Sequence, residues 1–246
     1  MGLGVREALA APAVGRVVAV YRVAAYLRFP AGLVALTSGL APPGPLHLRV
    51  AVLAELRPGD RVEAAAGVLY GPGWSADLGG APTWTGTLPA GPHPGPGAGA
   101  RGGSGVPAPA AVHELAARVG GRGPGLTPVG DDVLAGALLA VRAAHGPAVG
   151  PELRAVATSV RTTEVAAAFL AWAARGQCIE PAHAWLTAAD DDARRRAERR
   201  LTAIGASSGA ALSAGLRWGT GQVSGTDIQI ARVGPELDQL CGRSVR

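Results

Sequence analysis

Two adjacent carboxylates, Asp131 and Asp132, stand where a glycine-rich turn runs into an apolar helical stretch, in the segment GRGPGLTPVGDDVLAGALLA from Gly121 to Ala140. The turn holds Gly121, Gly123, Gly125 and Gly130, together with Pro124 and Pro128. A glycine turn that opens a helix exposes backbone N–H groups at the positive end of the helix dipole and lets a ligand approach the backbone closely. Gly123, Gly125 and Gly130, with the Thr127 hydroxyl, therefore form a candidate cradle for a small anion such as a phosphate or a carboxylate. One acid is enough to cap a helix, so the second is free for another task. It could accept hydrogen bonds from an amide substrate, or bind a hard cation such as Mg²⁺ beside a phosphate. The bland alternative is that both are solvated first-turn acids favoured by the dipole.

A second turn has the same plan. IGASSG leads into GAALSAGLRWG, and Gly209 and Gly215 are spaced as Gly130 and Gly136 are, with Ala214 and Ala135 before the later glycine of each pair. The pattern reads either as an internal repeat or as coincidence in an Ala/Gly-rich chain. Ser207, Ser208 and Gly209 make this turn a second candidate anion site, with a capping serine and a closely packed glycine as the plainer reading.

Composition removes several chemistries. All 23 basic residues are arginine, which excludes a Schiff-base lysine and a Walker-type phosphate loop. The net charge of +5 is spread along the chain and aromatic residues are only 4%, so no nucleic-acid surface is expected. The one dense basic cluster, Arg194 to Arg200, follows Asp190, Asp191 and Asp192. Acids before bases suit a solvated helix aligned with its dipole. Cys178 and Cys241 have no metal-ligand spacing, and with no signal peptide or disulfide framework the cytoplasm is the expected compartment. No apolar run has the ~18 residues of a membrane span. His113, His145 and His183 stand alone, each expected at a helix edge and not as a base.

The elements that would position these residues suggest an α+β chain. Residues 1–88 read as a β-rich unit, a small sandwich or barrel, with short Val-rich runs between Pro/Gly turns. Residues 89–109 read as a Pro/Gly linker with almost nothing to bury. Residues 110–246 read as helical. There AAVHELAARVG, the stretch from Asp131 to Ala144, PAHAWLTAA, DDARRRAERRLTAIG and GAALSAGLRWG each predict a helix. PELRAVATSVRTTEVAAAFLAWAARG predicts one long helix, with Pro151 in its first turn and Gly176 at its end. DIQIARV, near the C-terminus, reads as a strand.

GRGPGLTPVGDDVLAG resembles the signature block of the AllH-like family, a subunit of oxamate carbamoyltransferase. RTTEVAAAFLAWAARG resembles that family's second, threonine-rich block, and LTAIGASSGAALSAGL its third. Ala206 and Ala211 depart from it, standing where relatives often have His and some have Asp. The resemblance implies a part in moving a carbamoyl group between phosphate and oxamate, in company with other subunits. It adds Thr162 and Thr163 to the candidate anion-binding residues, and makes Asp131 or Asp132 the candidate proton acceptor. Carbamoyl phosphate, oxamate and oxalurate are all small anions, which suits N–H-rich helix starts. A non-catalytic anion- or nucleotide-binding subunit that organises an enzyme made by other chains is the alternative.

Overall fold

The computed structural model describes residues 1–89 and 105–223, and the chain divides into two compact units, Met1–Gly86 and Thr87–Arg246. The expected strand at DIQIARV, Cys241 and most of the proline/glycine segment lie outside the described residues.

The N-terminal unit is a seven-stranded, nearly closed, barrel-like sheet. A short helix, α1 (Leu3–Ala8), precedes β1 (Ala13–Val20), β2 (Ala24–Phe29), β3 (Gly32–Ser38), β4 (His47–Val50), β5 (Arg61–Ala65), β6 (Val68–Gly71) and β7 (Trp74–Asp77). The strand order is β4-β3-β2-β1-β5-β6-β7. All pairs are antiparallel except β3 with β4. The β5–β6 hairpin turns through Ala66 (φ 50°) and Gly67 (φ 76°), the left-handed pair a two-residue turn demands. Alternate residues of the strands, among them Leu27, Val34, Leu36, Val62 and Leu69, meet on the inner face with α1 residue Val5. Short apolar runs between Pro/Gly turns account for most strands; β5 alternates in burial, whereas β3 is buried at five consecutive positions. Neither α1 nor β7 was expected from the sequence, both being short.

In the second unit the helices are α2 (Pro109–Val119), α3 (Val129–His145), α4 (Gly150–Ser159), α5 (Glu164–Ala174), α6 (Glu180–Leu186), α7 (Asp191–Thr202) and α8 (Ser208–Gly219). With α1, eight α-helices occur among the described residues, and the whole is α+β. Trp185, Leu134, Leu138, Leu153, Leu170, Leu201 and Leu216 fill a single helical core, which Leu88 joins. Helix α7 behaves as its charges suggest. Asp190 accepts a hydrogen bond from the Ala193 N–H at 2.7 Å as N-cap, and the arginines spread over an exposed face where Arg195 pairs with Asp192 and Arg200 with Glu180.

The single long helix expected between Pro151 and Gly176 is two helices. Thr158 and Ser159 donate their hydroxyls back to the carbonyls of Arg154 and Val156, an alternative to helix continuation that such residues offer. The chain is then extended through Val160 and Thr163, and Thr163 caps α5 by accepting from the Ala166 N–H at 3.1 Å. Apolar periodicity runs through this break, which is why the pattern read as continuous.

Helices α3 and α8 cross in backbone contact. A Cβ on Gly136 would lie 2.2 Å from the Leu212 carbonyl oxygen, and one on Gly215 would lie 1.9 Å from that of Val133. Each helix also enters from a turn in the same way. The Gly130 N–H donates to the Arg122 carbonyl and the Gly209 N–H to that of Ile204, both at 3.0 Å. A Cβ on Gly130 would strike the Val119 oxygen, and one on Gly209 the Leu201 oxygen, each at 1.9 Å. The same sequence spacing separates Gly130 from Gly209, Val133 from Leu212 and Gly136 from Gly215. The helix–turn–helix pairs α2–α3 and α7–α8 thus share one pattern of glycine contacts, which is reciprocal at the α3–α8 crossing. This reciprocity gives the glycine pattern a physical cause: only glycine lets backbones approach so closely.

Candidate anion site at the glycine turn

The turn from Gly120 to Pro128 lies against the α4–α5 break. Gly121 (φ 70°) packs so closely on that segment that a Cβ would be 2.2 Å from the Arg161 carbonyl oxygen. Two straps join the segments. The Thr162 hydroxyl donates to Asp131 Oδ2, and the Thr163 hydroxyl donates to the Leu126 carbonyl. Asp131, 2% exposed, also accepts from the Gly121 N–H through Oδ1 at 2.7 Å. Burial raises its pKa, while the Thr162 hydroxyl and the Gly121 N–H draw it back. Asp131 thus ties the turn to the break, and both its oxygens are engaged.

Asp132 has a different setting. It lies where the N-termini of α3 and α8 meet, and there Thr127 Oγ1 and Ser208 Oγ are 3.3 Å apart. Its Oδ2 is buried with no hydrogen-bond partner among the described residues. Burial, chiefly, raises its pKa to about 7. The Asp131 charge adds to the rise, and the Ser208 and Thr127 hydroxyls oppose it. Neither acid caps α3, whose N-cap position is Pro128. The expected division of one cap and one free acid is replaced by one strap and one buried, titratable carboxyl. Among the described residues no group of three or more His, Cys, Asp or Glu is placed to hold a metal ion.

A cleft of about 640 Å³ opens between the turn and the α4–α5 break. Gly121, Gly123, Gly125 and Pro128 line one wall, and Val160, Arg161, Thr162 and Thr163 the other. Gly123 (φ 119°) and Gly125 (φ 88°) hold left-handed backbone conformations, and space for a Cβ on Gly125 is open. The N–H groups of Gly123, Gly125, Leu126 and Thr127 find no acceptor among the described residues. Those of Gly130, Asp131 and Asp132 are spent on the carbonyls of Arg122 and Pro128. The uncommitted donors therefore belong to the turn and, at Val129, to the first residue of α3.

The structure thus brings Gly123, Gly125, Thr162 and Thr163 to one cleft. Thr127, Asp132 and Ser208 form a separate polar cluster that does not line it. Gly130 and Gly209 are packing residues at their helix starts, with their N–H groups committed. Ser207 occupies the N-cap position of α8 without a side-chain capping bond. Sequence reasoning missed Arg161, an exposed residue of the cleft wall that makes no ion pair among the described residues. Its place depends on the helix break, so only recognition of Thr163 as an N-cap could have found it. Cys178 is buried in the helical core, and burial raises its thiol pKa far above the usual range. Among the described residues no helix is long and apolar enough to cross a membrane.

Residues 119–220, from the end of α2 to the end of α8, match the family model described as oxamate carbamoyltransferase subunit AllH. The match supports the AllH-like assignment made from the three sequence blocks, and it contains every candidate site residue. No curated protein and no solved structure matches the chain.

Proposed function

We propose, from this AllH-like assignment, that the chain is a subunit of an oxamate carbamoyltransferase-type assembly and binds a small anionic substrate in the cleft between the glycine turn and the α4–α5 break. The observation that carries the reading is the pair of uncommitted N–H groups at Gly123 and Gly125, which line the cleft with the cationic Arg161. Oriented backbone donors and a guanidinium stabilise negative charge without reorganising. Carbamoyl phosphate, oxamate and oxalurate are anions small enough for a cleft of this size. Carbamoyl transfer to an amide nitrogen also needs a proton acceptor, and Asp132 has a pKa of about 7, matched to neutral-pH base catalysis. Thr127 and Ser208, from the turns that open α3 and α8, are its neighbours.

A second reading, an anion-binding subunit whose partners supply the chemistry, draws support from one feature. Neither Asp131 nor Asp132 is among the residues that line the cleft. The two readings part on Asp132→Asn in the assembled enzyme: a catalytic base predicts loss of turnover with ligand binding retained, and a binding subunit predicts that turnover and ligand binding are both retained. For anion binding itself, the test is thermal unfolding of the full chain with carbamoyl phosphate, oxamate and oxalurate. A ligand at ~100 times Kd stabilises by about 2.7 kcal/mol, and no response to any of the three refutes the proposal.

A further inference from the structure

We infer that Arg161 is the specificity-determining anchor of the cleft and selects a phosphate group over a carboxylate, an inference that rests on the anion-binding reading above. Of the residues that line the cleft, the glycines, Pro128 and Val160 have no polar side chain. The Thr162 and Thr163 hydroxyl protons are already given to Asp131 and Leu126. Arg161 is therefore the one side chain among these lining residues with uncommitted donors, and no acid lines the cleft to neutralise it.

A guanidinium offers five N–H donors in a planar fork that holds two oxygens at once, and it stays charged at every relevant pH. Together with the free N–H groups of Gly123 and Gly125, it supplies more donors than the two oxygens of a carboxylate use well. The three terminal oxygens and double charge of a phosphate match that supply. Arg161 owes its place to Gly121, which brings the turn against the Arg161 carbonyl, and to the Asp131–Thr162 and Leu126–Thr163 straps. The backbone at this position is thus fixed while the side chain remains exposed, so its truncation leaves the fold intact.

The test is titration calorimetry of the full chain with inorganic phosphate and with oxamate, at one ionic strength, for wild type, Arg161→Ala, Arg161→Lys and Arg122→Ala. Arg122 is an exposed arginine of the same turn that does not line the cleft, and it controls for general charge. Loss of a bidentate charged contact should weaken phosphate binding in Arg161→Ala roughly tenfold or more. Arg161→Lys, with charge but no fork, should recover only part of it, and Arg122→Ala should match wild type. Oxamate should be weakened less than phosphate. If wild type binds phosphate and Arg161→Ala binds it equally well, the assignment of Arg161 is overturned while the anion cleft stands. If both ligands weaken equally, the phosphate selectivity is overturned. If wild type binds neither, the cleft reading falls and this inference with it. Circular dichroism of each variant checks the fold, and a misfolded Arg161→Ala leaves Arg161→Lys to decide.

Discussion

Replacing Asp132 by asparagine should make the protein more stable at alkaline pH, not less. The carboxyl is buried between the N-termini of α3 and α8, with one oxygen unpartnered and a pKa of about 7 against an ordinary 3.8. Because the folded-state pKa is raised, the native state holds the proton more tightly than the unfolded chain. The stability this contributes is complete below about pH 3.8 and is lost as pH rises through about 7. A rise of that size corresponds to about 4 kcal/mol over the full range. Between about pH 5 and pH 8.5 the loss amounts to roughly 3 kcal/mol. Asparagine nearly keeps the shape and never ionises, so it escapes that loss. Urea unfolding followed at 222 nm, where the helical unit dominates, should show the variant gaining on wild type by that amount across the interval. At a typical urea slope for this size the midpoint difference moves by about 1 M. Parallel pH profiles, or a variant less stable by the same margin at every pH, would refute the reasoning and return Asp132 to an ordinary solvated acid.

Gly215→Ala should cost more than about 3 kcal/mol or abolish soluble expression, because its Cβ would lie 1.9 Å from the Val133 carbonyl oxygen at the α3–α8 crossing. Gly125→Ala, where φ is 88° but the space is open, should cost only about 1 kcal/mol; thermal melts of the pair check both. Asp131→Asn and Thr162→Val each break the strap between turn and helix break and leave a buried group unpaired. Each should lower stability by about 1–3 kcal/mol. Both should also weaken phosphate binding without either residue offering the ligand a free donor, which calorimetry beside the melts would detect.

Much of the molecule was legible in the chain itself. Short apolar runs ended by glycine or proline turns mark β2, β3 and the β5–β6 hairpin, because run length and turn residues are local properties of the chain. The glycines spaced alike in the two turns are legible too, although their cause is not. Gly136 and Gly215 exist for each other's helix, and the carbonyls they accommodate are distant in sequence. The candidate site was partly readable. Gly123 and Gly125 stood out because so many glycines exceed what a turn needs, and the two acids stood out by number. Their roles depended on long-range partners. The Thr162 hydroxyl and the Gly121 N–H engage Asp131, and Ser208 and Thr127 face Asp132. Nothing in the local pattern ranks one acid above the other, since each is a first-turn carboxylate until folding brings those donors to it. The Val160–Thr163 break is the clearest case. Apolar periodicity carries through it, and the Thr163 cap competes with helix continuation by only about 1 kcal/mol. The Thr162 and Thr163 bonds to Asp131 and Leu126 add to that small local preference, and they form only when α3, α4 and α5 pack together. Arg161 reaches the cleft by the same packing, which is why tertiary structure alone decided where the candidate site has its positive charge.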